Sequence, residues 1–159
     1  MGTYDFTVGG PVGLPFQYKA RNYWVPILID VPAIIAANAT LTTAAKLTAG
    51  DILQIFDIPA ATLITGIAVL ETITVGQAGN TADIGVAAGD ELFNGVALDS
   101  VAGTRTLNLH TDDWGALNGY VVSTTDTLDM LFVADATTGK YVVWVEMVDL
   151  NKAGVVLGY

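Results

Sequence analysis

KYVVWVEMVDL, residues 140–150, decides the fold. Successive side chains of an extended strand point to opposite faces, so Tyr141, Val143, Val145 and Met147 share one side and Val142, Trp144 and Val148 the other. Both sides are apolar. A strand of this kind sits in the middle of a sheet that is covered on both faces, or has one face packed against another subunit.

Upstream, residues 62–75 (TLITGIAVLETITV) show the same two-residue period. Leu63, Ile67, Val69, Ile73 and Val75 form one face, which is the expected core face, and Thr72 and Thr74 point away from it. Gly66 marks a bend or bulge. Residues 52–58 (ILQIFDI), 81–86, 104–109, 120–123 and 127–133 read as further strands. Turn signals separate them at residues 49–51, 59–62, 76–80 and 135–139. Residues 87–95, with Phe93 and Asn94-Gly95, read as a loop. Residues 25–31 (VPILIDV) form a strand that Pro26 confines to an edge or a strand start, since proline has no N–H for a second ladder. The single helical pattern, residues 33–46, is loose and rich in threonine, enough for one or two turns. About eight short strands with Gly-rich turns specify an all-β protein, a jelly-roll-like antiparallel β-sandwich over residues 25–159.

Residues 1–24 differ in kind. Gly2, Gly9, Gly10, Pro11, Gly13 and Pro15 oppose helix and sheet interiors. Yet Tyr4, Phe6, Phe16, Tyr18, Tyr23 and Trp24 lie in the same stretch, whereas disordered tails are poor in aromatics. The segment reads as an extended N-terminal arm that docks its rings on a neighbour or folds back over its own sandwich. At ~3.3 Å per residue it reaches roughly 80 Å.

Composition narrows the function classes. The chain is 52% hydrophobic and 14% charged, with a mean hydropathy of +0.53; soluble domains usually carry about 25% charged residues. A chain so poor in charge is expected to cover part of its outside with other chains. No stretch is long enough to span a bilayer and no secretory signal is visible, so no membrane partner is expected. The net charge of −10, with only Lys19 and Arg21 close together, opposes nucleic-acid binding. The absence of cysteine removes disulfides, thiolate metal sites and thiol nucleophiles.

Catalytic patterns are weak. His110 has Asp112 and Asp113 nearby, but no G-x-S-x-G elbow exists and Ser100 and Ser123 are the only serines. The carboxylate pairs Asp90–Glu91 and Asp112–Asp113 sit in Gly-rich loops, where acids serve turns. A calcium site from Asp83, Asp90 and Asp112 needs those loops to converge, and the EF-hand pattern is absent. Residues 85–89 (GVAAG) lack the lysine of a phosphate loop. No cofactor is expected. Trp114, in a turn-like setting, is the best candidate for an exposed ring, while mid-strand Trp144 reads as core or interface.

The order of elements from residue 48 to 150 resembles a family of small virion proteins of tailed bacteriophages, common in marine and cyanobacterial phages. The stretches that carry it are LTAGDILQIFDIPA (47–60), residues 72–85 ending in TADIG, DELFNGVAL (90–98) and YVVWVEMVDL (141–150). Members are β-sandwich proteins that decorate or cement the head, often as trimers. The resemblance implies a non-enzymatic protein on the outer capsid surface, with the major capsid protein and further copies of itself as partners and a trimer as the expected assembly. It does not extend to residues 1–24. Tyr4, Phe6, Phe16, Tyr18, Tyr23, Trp24 and Trp114 are the expected interface residues, on aromatic grounds alone. A sugar-binding β-sandwich of a phage fibre or spike, built around Trp114, is the alternative, and a small hydrolase around His110 a third.

Overall fold

The computed structural model describes residues 22–86, 89–109 and 119–150. Within these residues the chain forms β1 (Asn22–Asp30), α1 (Val31–Ala37), α2 (Ala39–Ala44), β2 (Ile52–Ile58), β3 (Thr62–Thr74), β4 (Thr81–Val86), β5 (Phe93–Ala97), β6 (Arg105–Leu109), β7 (Tyr120–Val122), β8 (Asp126–Phe132) and β9 (Lys140–Asp149). One sheet has the order β1-β9-β3-β6, with β7 also paired to β3, and the other the order β2-β8-β4-β5. All pairings are antiparallel. With β7 set aside, this is a jelly roll: eight strands whose connections cross between two facing sheets.

The β9 pattern is realised as read. β9 lies between β1 and β3, with Tyr141, Val143, Val145 and Met147 buried. Pro26 sits in β1, and among the described residues β1 is an edge strand. The loose helical pattern of residues 33–46 is realised as two short helices that meet at Asn38. Asp30 caps α1 by accepting from the Ala33 N–H at 3.2 Å, and Asn38 caps α2 by accepting from Thr40 and Leu41 at 3.0 and 3.2 Å. Short polar side chains at these positions satisfy the first free N–H groups of a helix, so each one starts a helix anew. Ala45, with φ of 56°, ends α2.

Two expectations are corrected. Residues 93–95, read as loop, belong to strand β5 (Phe93–Ala97), paired to β4 through Ala82–Val96 and Ile84–Phe93. Asn94-Gly95 suggests a turn. Gly95 does take a positive φ of 62°, but it falls where the β4–β5 register shifts, a bulge inside the strand. The second correction concerns β3. Its buried residues are Thr62, Ile64, Gly66, Ala68, Leu70 and Thr72, and the face of Leu63, Ile67, Val69 and Ile73 points away from the core. Both faces of β3 are apolar, so periodicity located the strand without saying which face is inside.

The core between the sheets is made by Ile27, Ile29, Ile64, Leu70, Ile84, Leu92, Leu98, Leu128, Met130, Phe132 and Tyr141, together with smaller residues. Tyr141 ties the sheet to a loop: its hydroxyl donates to the Leu98 carbonyl at 3.1 Å. Gly76 and Gly139 (φ 121°) lie so close to that side chain that a Cβ at either would collide with it. Burial, with the charge of Asp99 second, pushes the Tyr141 hydroxyl up to about 12.

Candidate assembly interface

The outward face of the five-stranded sheet follows from β1, β9, β3 and β6. In β1 the side chains of Ile27 and Ile29 point inward, so Trp24, Pro26 and Leu28 point outward, and all three are exposed. Strand pairing aligns these residues into rows. Pro26 stands opposite Trp144, Trp144 opposite Val69, and Val69 opposite Leu107. The next row runs from Leu28 through Val142 and Glu71 to Arg105. Nearer β7, Val148, Leu63 and Val121 form another. Leu28 is 61% exposed, Leu107 51% and Trp24 45%. Side chains across a ladder lie within van der Waals reach, so the row from Pro26 through Trp144 and Val69 to Leu107 is continuously apolar, whereas the Leu28 row ends in the Glu71–Arg105 ion pair and Glu146 lies between Trp144 and Val148. Scattered apolar residues on a surface are ordinary, but contiguous apolar rows across four strands mark an interaction surface.

Trp24, Trp144 and Val69 border a hollow of about 310 Å³ whose polar wall is Glu71 and Arg105. Those two side chains form an ion pair at 3.0 Å. Glu146, opposite Trp24 in the ladder, accepts from Asn22 at 2.8 Å and from the Thr65 hydroxyl at 2.7 Å. Lys140 neutralises Asp30 at 3.0 Å at the far end of β1. The Lys140 ammonium, followed by the Ala33 N–H, holds the Asp30 carboxyl below the usual carboxylate value. Both basic residues of this sheet's strands are thus ion-paired with two of its four acids, and Glu146 is held by neutral hydrogen-bond donors.

The outward face of the four-stranded sheet is different. Its strands hold no lysine or arginine; Asp57, Asp83 and Asp129 lie on the outward register, Asp129 buried there, while Asp126 stands opposite the buried Ile58 on the inward side. Asp83 accepts from the Gly95 N–H at 2.7 Å, and Asp129 from the Thr127 hydroxyl at 2.8 Å. In the neighbouring loop Asp90 accepts from the Asn94 amide at 2.8 Å and Glu91 from the Val86 N–H at 3.1 Å. These carboxylates serve turns and strand ends, the ordinary use of acids in such loops. Among the described residues no three carboxylate or histidine side chains converge in a metal-holding group.

Of the residues singled out in the sequence, Tyr23 and Trp24 belong to β1 and not to the arm, because the strand begins at Asn22. Both are exposed. Tyr4, Phe6, Phe16, Tyr18 and Trp114 lie outside the described residues, as do His110, Asp112 and Asp113. Reasoning from aromatics alone passed over Pro26, Leu28, Val69 and Leu107. The signal that finds them is the two-residue period of β1 taken together with the doubly apolar β3 and β9.

No protein-family model matches the chain, and no curated protein matches it. Solved structures do. A chain in the capsid of Ralstonia phage GP4 superposes with a TM-score of 0.59 at 16% identity, over 81% of this chain and 84% of that one. A chain in the capsid asymmetric unit of cyanophage Pam1 gives 0.55 at 13% identity, over 81% and 85%. A chain in the acid-stable capsid of the Helicobacter pylori bacteriophage KHP30 gives 0.48 at 12% identity, over 80% and 86%. The first two share the fold described above.

Proposed function

We propose that this chain is a non-enzymatic structural protein of a phage virion that decorates or cements the head by bridging major capsid subunits. The observation that carries the reading is the contrast between its two outer faces: one with an exposed apolar row and both its basic residues ion-paired, the other with aspartates and no basic residue on its strands. The apolar face of the five-stranded sheet seats on the shell or on further copies of the chain, a trimer being the expected assembly. The acidic sheet looks outward to solvent, away from the packed genome. The fold shared with chains of the GP4 and Pam1 capsids supports a place in the virion. The mechanism is burial of apolar surface between subunits; a stable contact of ordinary size takes about 800 Å² from each partner. The purified chain should bind heads that lack it and raise the temperature at which they open. Heads that neither bind it nor gain stability would defeat the proposal.

The hollow between Trp24 and Trp144 supports a second reading, a sugar-binding surface of a fibre or spike, because two indoles beside a carboxylate and a guanidinium suit a sugar ring. Binding to a glycan array that Trp24→Ala abolishes, together with no affinity for heads, would favour it.

A further inference from the structure

On one side of the sandwich the edges of the two sheets come together. β1 has a ladder partner on one side only, β9, and β2 on one side only, β8, among the described residues. Between them opens a groove of about 640 Å³, lined by Leu28, Ile29, Ile34, Ile52, Leu53 and Ile55, with Gln54 and Asp129 as its polar lining. An apolar groove flanked by two strand edges is the setting in which an added strand gains both backbone hydrogen bonds and side-chain burial.

The chain contains a segment of matching pattern. Residues 3–8 read TYDFTV, with Tyr4, Phe6 and Val8 on one side of an extended chain and Thr3, Asp5 and Thr7 on the other. Six residues extend about 20 Å, close to the length of the seven-residue β2. Charge favours the match. Residues 1–21 hold two basic residues and one acid, a formal charge of +1; the remainder holds four basic residues and fifteen acids, a formal charge of −11. Lys19 and Arg21, at the root of the arm, give it a charge opposite to the body's, which speeds encounter, while residues 3–8 themselves carry only Asp5.

We propose that residues 3–8 of one copy add as a strand along the β1–β2 groove of a second copy. The positions of glycine and proline argue for the second copy. The reversal signals lie in residues 9–15 (GGPVGLP), and a tight hairpin centred on Val12 would pair Thr3 with Arg21. A segment returning on its own chain in that way would stop before β1 begins at Asn22 and would not lie beside Leu28. The groove of another copy carries no such restriction. Tyr4, Phe6 and Val8 enter the groove, and Thr3, Asp5 and Thr7 face water. This deepens the self-association in the proposed function and rests on that part of it.

The cysteine-free chain makes the test direct. A copy carrying Phe6→Cys is mixed with a size-tagged copy carrying Ile52→Cys under mild oxidation. Ile52 is 50% exposed, so the substitution leaves the core intact. The expected result is a disulfide-linked heterodimer in at least tenfold higher yield than with Val101→Cys, an exposed control between β5 and β6. Equal yields overturn the inference. So does a cross-link that forms only when both cysteines are on one chain at high dilution. Head binding is measured separately on the same proteins: its loss with the cross-link intact defeats the capsid reading and leaves strand exchange standing.

Discussion

The two sheets of this sandwich are built from the same kind of strand and meet the same core, yet their outer faces have opposite characters. The five-stranded sheet presents Trp24, Pro26, Leu28, Val69, Leu107 and Trp144, with its ion pairs Glu71–Arg105 and Asp30–Lys140 matched internally. The four-stranded sheet presents aspartates with no basic residue on its strands. The difference teaches that the low charge content of this chain is unevenly spread. Uncompensated carboxylates are concentrated on one side and exposed apolar surface on the other.

The largest test of that comparison lies within β3. Leu70→Ala empties a fully buried position and is expected to cost about 2–5 kcal/mol of folding stability. Val69→Thr, one residue away on the outer face, is expected to stay within about 0.5 kcal/mol. Urea denaturation of both variants measures the difference. Equal losses would mean that the outer face is as enclosed as the core.

Next in size is the outer apolar face. Trp24→Ala combined with Trp144→Ala is expected to weaken association with heads about 30-fold, the scale of a hot-spot loss of ~2 kcal/mol, with little change in denaturation midpoint. Quantitative pelleting with heads reads it. Unchanged affinity would move the contact to another surface.

A smaller effect is expected from acid. Asp30 and Asp135 are both held below the usual carboxylate value of 3.8, Asp30 by Lys140 and then the Ala33 N–H, Asp135 by Lys46 at 2.5 Å and then the Ala49 N–H. Because the folded pKa is depressed, the stabilisation is complete above 3.8 and is lost as pH falls through the lower folded values. Asp135→Asn should flatten part of that decline in a pH series of thermal melts. A decline of unchanged depth in the variant would remove Asp135 from the account.

The smallest effect is expected on the acidic face. Asp57→Asn should change head binding by less than about twofold, since an exposed charge remote from the contact is screened beyond about 8–10 Å at ordinary salt. A larger change would show that the acidic sheet also touches a partner.

Much of the architecture was legible in the chain. β2, β4, β8 and β9 stand within a residue of their expected bounds because Gly-, Pro- and Asn-containing turns frame them and two-residue alternation runs between the turns. Pro26 placed β1 at an edge for a covalent reason, the missing N–H. β5 was hidden because Asn94-Gly95 is a hairpin signal in most settings and here occupies a bulge. The exposed apolar face was only half legible. Trp24 was singled out by its aromaticity, though assigned to the arm, while Leu28, Val69 and Leu107 carry no mark of their own.

The sequence by itself determined that this is an all-β chain with too few charges to cover its surface, since composition and alternation are properties of the chain alone. Which face of β3 lies inside, and therefore where the exposed apolar rows run, was decided only by tertiary structure. When both sides of a strand are apolar, local periodicity is symmetric, and only the pairing of β3 with β9 and β6 and the packing of Ile64 and Leu70 against the opposite sheet break the symmetry.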